Sequence, residues 1–369
     1  MPETQVDIVI IGAGVAGLSC AYHLAPHAKV AVIEGESQPG YHSSGRSAAV
    51  FHASLGAPPV HALSRHALGF FETPPEGFTE TPLLQPCGAY FTAPDWAAID
   101  RFFDTHKVAF PAIEKVNTTT MRATGLPVHP DIVGAVYDPG LLHIDVGALM
   151  DGFLRGARQH GATLLGDSGV QAVARDGTGW RIAAGAETIK AERIVNAAGA
   201  WADRVAGLAG LPPLGIEPRR RTAITFDGPV GADVRGWPAL VHTESGAYVK
   251  PEGGRLLASP GDATPSPPCD AAPEEIDIAT AAHYAETLLD LPVRRVVAKW
   301  AGLRSFLPDE LPALGEDAAA EGFYWCAALG GYGVQTAPAT GRLLAAMITG
   351  SRTPENLPVA AFAPRRKTA

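Results

Sequence analysis

The sequence predicts an α/β fold. A mostly parallel, nucleotide-binding domain is assembled from three separated stretches, and a second, mixed or antiparallel β-sheet domain (α+β) is inserted between them. Three observations carry this expectation. The chain opens on a strand, a glycine turn and a helix; two later segments repeat the same grammar; and the stretches between them hold β-type runs broken by Pro and Gly. The first domain is expected over 1–82, 143–215 and 301–369, and the second over 83–142 and 216–300.

The opening signature is an apolar run from Val6 that ends in Gly12-Ala-Gly14-Val-Ala-Gly17, with a second apolar run, Val30 to Ile33, closed by Glu34. Gly12 makes the tight turn, Gly14 lets backbone approach a pyrophosphate, and Gly17 lets the helix pack closely on the sheet. The helix N-terminus aims free N–H groups and a positive dipole end at the phosphates. Glu34 stands where an acid hydrogen-bonds the ribose hydroxyls. A second unit runs from Arg193 through Asn196-Ala-Ala-Gly199 into a helix over about 200–209. A third runs from Phe323 through Gly330-Gly331-Tyr332-Gly333 into a helix over about 335–348; taken alone, that glycine cluster also reads as a flexible turn. Strands are expected at Thr222–Phe226 and Ala247–Lys250, and Pro260 to Glu275 reads as a surface loop. No internal repeat is present.

Composition narrows the class. With 369 residues and 46% hydrophobic content the chain can bury a large core. A net charge of −9 without a long basic run disfavours nucleic acid. The four cysteines, Cys20, Cys87, Cys269 and Cys326, form no C-x-x-C pair, so neither a metal site nor a redox dithiol is suggested, and a reducing cytoplasm fits. The apolar N-terminus lacks the basic region of a signal peptide, and no run is long enough to span a membrane.

Taken in order, Gly12–Gly17, Glu34, Gly40-Tyr-His-Ser-Ser-Gly45-Arg46-Ser47, Asn196–Trp201, Gly302-Leu-Arg304 and Gly330–Gly333 resemble the D-amino acid oxidase/glycine oxidase family of FAD enzymes over nearly the whole chain. Within it the likeness is closest to the bacterial D-arginine dehydrogenase branch, through Pro39-Gly-Tyr-His-Ser, Arg220-Arg221, Trp300–Phe306 and Gly330–Thr336. The resemblance implies a Rossmann-like FAD domain beside a mixed-sheet substrate domain, with the flavin between them. It implies that Ala16, Glu34 and Gly35 touch the adenosine and diphosphate, and that Val170 meets the adenine. Ser43, Ser44, Gly45, Arg46, Ser47, Ala48 and Val50 would line the flavin, with Gly199 nearby and His42 packing on the cofactor. Gly330, Gly331, Tyr332, Gly333, Val334 and Gln335 would follow its pyrimidine edge, where a helix N-terminus favours negative charge on the reduced ring. The segment after Arg304 has no cysteine, so the FAD is expected to be noncovalent.

The resemblance further implies oxidative deamination of a D-amino acid to a 2-oxo acid and ammonia, with Arg304, Arg221 and Tyr248 holding the carboxylate. Arginine suits this task because its planar fork gives two parallel charge-assisted bonds. By itself Arg221 also reads as a solvated charge in the run Arg219–Arg221, and Tyr248 as a strand residue. Ala89 stands where D-arginine dehydrogenases carry a glutamate for the guanidinium, and Leu55 replaces a lid tyrosine. With Ala239, Val241 and Gly331 these residues define a pocket for a neutral side chain, unless Glu244 supplies a substitute acid. His52 reads either as a group that orients substrate or takes a proton, or as a histidine hydrogen-bonded to backbone in the loop. Rival activities are oxidation of a secondary amine such as sarcosine or D-proline, or of a 2-hydroxy acid with His52 as base. A flavin-binding subunit without a substrate site is the alternative from outside enzymology. The implied partners are a small amino-acid substrate and an electron acceptor, either quinone or oxygen.

Overall fold

The apolar opening run forms the strand Glu3–Ile11, and the second run forms Val30–Ile33, every residue of which is buried. Between them lies the helix Val15–Leu24. Residues 3–366 are described in the computed structural model; the outermost residues of the expected nucleotide domain, 1–2 and 367–369, lie outside the described residues. Glu3–Ile11 sits between two parallel neighbours, Val30–Ile33 and Glu187–Asn196, and Thr163–Leu165 extends the parallel set. The C-terminal part of Glu187–Asn196 pairs in parallel with Ala320–Ala327, while its N-terminal part pairs with an antiparallel hairpin, Val170–Asp176 and Gly179–Ala184. With Ala313–Asp317 these make an eight-stranded sheet. Its two faces carry separate cores, one against the helices at 15–24 and 333–349, the other around Trp180, Phe323 and Trp325.

A nine-stranded sheet stands beside it, antiparallel except where Ala239–His242 runs parallel to Ala89–Thr92. The strand Val296–Phe306 pairs with Glu217–Phe226 along its length and therefore carries the nine-stranded sheet across residue 300. A small third sheet joins Val50–Phe51, Leu84–Pro86 and Leu142–Ile144. This is the α/β fold with mixed and antiparallel sheets that the sequence implies.

Several local expectations need adjusting. The stretch from Pro260 to Glu275 is not only loop, because Thr264–Pro265 pairs with Arg219 and Arg220. The segment after Gly199 begins as a 3-10 turn, Gly199–Trp201, before the helix Ala202–Leu208. The last long helix is Gly333–Thr349, so the glycine cluster runs directly into it, and the helix ends at Gly350 in the left-handed region. Cys20 and Cys326, remote in sequence, lie with their sulfurs 3.7 Å apart in the core. Among the described residues, no helix is long and apolar enough to cross a membrane.

Candidate active site

One cavity of about 810 Å³ runs along the C-terminal ends of the parallel strands and across to the nine-stranded sheet. That volume falls in the range of small-molecule and cofactor sites. At its nucleotide end the glycine roles are visible as contacts. Gly12 has a φ of +105°, and a side chain there would lie 2.5 Å from the Ala197 carbonyl oxygen. A side chain at Gly17 would lie 1.9 Å from the Gly12 carbonyl oxygen, so this glycine allows helix and turn to touch. Gly17 consequently does not line the cavity, and neither does Gly45, whose amide closes a turn onto the Gly40 carbonyl at 2.8 Å. Glu34 accepts the amides of Ala13 at 2.7 Å and Glu36 at 3.0 Å. An ionised carboxylate has about four acceptor positions, so two remain for a pair of ribose hydroxyls.

The middle of the cavity is walled by the segment 40–50 and by the start of the helix Gly333–Thr349. That helix has no side-chain cap and no acidic residue in its first turn, so its orphan N–H groups and positive end are available to an anionic group. Two expected cofactor contacts are already committed elsewhere. Arg46 lines the cavity, but its guanidinium donates to the carbonyls of Tyr41, Ala271 and Ala301 and to Asp270, strapping the 260–275 segment down. The Gln335 amide oxygen accepts from His52 N and its nitrogen donates to Ser64, which makes it a brace between elements. Tyr332 is the residue before the helix and lies outside the lining. The remaining expected cofactor positions, from Gly14 and Ala16 through Val170 to Val334, line the cavity.

The far end is built from cross-strand rows. Tyr248 pairs with Val241, Val241 with Phe91 and Phe91 with Val136, so these side chains share a face. A neighbouring row on that face holds Ala239, Ala89 and Asp138. Ala239, Val241 and Leu55 line the cavity; Ala89 does not, because Leu141 and Ala239 pack over it and leave it fully buried. Glu244 stands exposed in the turn between strands and supplies no acid to the pocket.

Arg304 pairs with Arg219 and Arg221 with Gly302 across two antiparallel strands, so the three arginines share one face. Arg221 Nε donates to the Asp262 carbonyl at 2.6 Å and Arg304 Nη2 reaches the same oxygen at 3.5 Å. The Arg304 Nε is buried without a partner among the described residues. Burial and the neighbouring charge of Arg221 push the Arg304 guanidinium down to about 10, still charged at neutral pH. Gly331 makes room for it, since a side chain there would lie 3.1 Å from Arg304 Nη1. Burial raises the Tyr248 phenol, a shift the Arg221 charge opposes, so Tyr248 stays a neutral donor.

His52 is buried, and both ring nitrogens are engaged: Nε2 meets Asp138 at 2.8 Å and Nδ1 meets the Ser54 hydroxyl at 2.5 Å. His52 lines the cavity, and both its ring partners are side chains rather than the loop backbone. Burial works to raise the Asp138 carboxyl, but the His52 hydrogen bond and the Gly140 amide bring it below the usual carboxylate range. Asp138, Asp262 and the buried Lys250, which pairs with Glu252, carry no local motif and are placed by sheet register and loop packing.

A dinucleotide cradle opening onto a paired-arginine pocket defines a nucleotide-cofactor oxidoreductase. The chain belongs to the FAD dependent oxidoreductase (DAO) family, whose model matches residues 7–347, and FAD is its cofactor. It is 26% identical over 392 residues to mouse (Mus musculus) mitochondrial dimethylglycine dehydrogenase, covering 96% of this chain but 44% of that protein. The chain thus spans less than half the length of that relative. Glycine oxidase of Geobacillus kaustophilus is 28% identical over 226 residues, covering 60% of this chain and 58% of the relative. A crystal structure of glycine oxidase from that organism superposes with a TM-score of 0.84 at 24% identity, covering 99% of this chain and 100% of the other. L-proline dehydrogenase from P. horikoshii gives a TM-score of 0.83 at 22% identity, covering 99% and 98%. At these identities the superpositions show the fold. Glycine oxidase and dimethylglycine dehydrogenase are among the named relatives, at low identity, and they support the family rather than the finer likeness to D-arginine dehydrogenases.

Proposed function

We propose that this chain oxidises the Cα–N bond of an amino acid with a neutral side chain, of D configuration where the carbon is chiral, giving an imino acid that water hydrolyses to a 2-oxo acid and ammonia. The observation that carries the reading is Arg304: a half-buried guanidinium beside Arg221, whose buried Nε has no partner among the described residues, facing a cavity. A buried guanidinium N–H without a partner is costly, and a substrate carboxylate accepting from the guanidinium offsets that cost. Arg304 and Arg221 hold the carboxylate, and Tyr248 donates its phenolic hydrogen to the same group. FAD, held noncovalently along the cradle, supplies the two-electron acceptor for the Cα hydrogen. The protein contributes alignment, because fixing the carboxylate fixes which face of Cα is presented.

Ala239, Val241 and Leu55 favour an uncharged side chain, since a guanidinium or ammonium among them would lack a partner. A second reading is oxidation of a secondary or tertiary amine, which the likeness to dimethylglycine dehydrogenase favours. The same clamp serves either. A 2-hydroxy acid is a poorer reading, because the base it needs was expected at His52, whose nitrogens are engaged. The test is steady-state kinetics over D- and L-amino acids, N-methyl amino acids and 2-hydroxy acids. Preference for neutral D-amino acids supports the first reading, preference for N-methyl compounds the second, and turnover of 2-hydroxy acids alone contradicts both.

A further inference from the structure

The arginine pocket has an uneven charge balance. Arg219 shares the face but is spent outside the cavity on Glu217 and Glu310. Arg221 and Arg304 remain, and the carboxylate set against them is that of Asp262, with Oδ1 3.7 Å from Arg221 Nε. Among the described residues no other carboxylate forms an ion pair with either arginine. The Asp262 side chain is only 8% exposed, and both its oxygens accept from the Thr222 amide, at 2.8 and 3.0 Å. The other groups facing Arg304 are the phenols of Tyr248 and Tyr332, and burial raises both and keeps them neutral. Two guanidiniums against one carboxylate leave one net positive charge.

We propose that Asp262 is a specificity-determining residue that sets the clamp to accept a single carboxylate. The inference rests on the reading of Arg221 and Arg304 as a carboxylate clamp. A monoanionic head closes the charge balance, whereas a dianion leaves an uncompensated charge in a partly dehydrated site. Asp262 thus limits entry of sulfate-like or phosphate-like groups that a bare arginine pair would hold. Its backbone carbonyl positions Arg221, and its carboxylate supplies the opposing charge.

The test is calorimetric binding of propionate and sulfate to the FAD-loaded protein and its variants. Asp262→Asn keeps an acceptor for the Thr222 amide while removing the charge. It is expected to raise sulfate affinity relative to propionate by about tenfold or more. Arg221→Met is expected to weaken propionate by about tenfold, and adding Asp262→Asn to it is expected to recover about threefold or more, because the net charge returns to one. Should Asp262→Asn fold poorly, Asp262→Ala gives the same change in ratio with a lower Tm. An unchanged sulfate-to-propionate ratio, or a double variant no better than Arg221→Met, overturns the proposal. If the unmodified protein binds no propionate, or if Arg304→Met leaves that binding intact, the clamp reading itself is what fails.

Discussion

The two ends of the cavity are built on different principles. The nucleotide end is made of backbone: a turn at Gly12, helix N-termini at residues 15 and 333, and one acid, Glu34, whose carboxylate ties two amides. The substrate end is made of side chains from strands far apart in sequence, aligned by register: Arg304 beside Arg221, Tyr248 beside Val241. On the proposed function, one end would recognise a cofactor of fixed shape, and the other could change substrate by changing a few side chains on a fixed sheet.

If that division holds, damage at one end should leave the other intact. The largest effect is expected at Arg304. Arg304→Met should raise KM for an amino-acid substrate by about a hundredfold, the loss of a charge-assisted pair worth roughly 2–3 kcal/mol, while bound FAD, followed by absorbance, is unchanged. Next comes Gly331→Val, whose Cβ would stand 3.1 Å from Arg304 Nη1 and whose methyls would press on the guanidinium. It should raise KM by about tenfold. The converse case is Glu34→Ala, which releases the Ala13 and Glu36 amides. FAD affinity should fall by about tenfold, while kcat at saturating FAD holds.

How much of this was legible follows the same division. Gly12, Gly14, Gly17 and Glu34 could be read because the turn, helix and acid lie within one short βαβ unit, where spacing alone fixes geometry. Arg304 and Arg221 came through likeness to a family, since nothing local told Arg221 from Arg219 and Arg220 beside it. Asp262 stayed hidden in a stretch that reads as loop, and its role appears only when that loop folds back on Thr222. Ala89 was misplaced for a similar reason. Leu141, from a distant segment, covers it. His52 could not be resolved from sequence, because its partner Asp138 arrives from another strand.

The smallest effect separates His52 from the chemistry. Asp138→Asn keeps a hydrogen-bonding partner for His52 but removes the charge, and should cost about 1–2 kcal/mol of stability at pH 7 with kcat within about threefold. Because the folded-state carboxyl of Asp138 lies below its usual value, its contribution is present above the unfolded value near 3.9 and is lost as pH falls through the folded one. The difference in Tm between the two proteins should therefore shrink below about pH 4. A kcat loss of about a hundredfold or more would return His52 to the reaction.

The most direct test is anaerobic bleaching of the flavin band in the purified FAD-loaded protein by neutral D-amino acids, their N-methyl derivatives and the matching amines without a carboxylate, repeated with Arg304→Met. The account predicts rapid bleaching by the carboxylate-bearing compounds alone, and its loss at the same concentrations in Arg304→Met with FAD still bound. Equal bleaching by the amines lacking a carboxylate, or an Arg304→Met protein that bleaches as the unmodified one does, would contradict it.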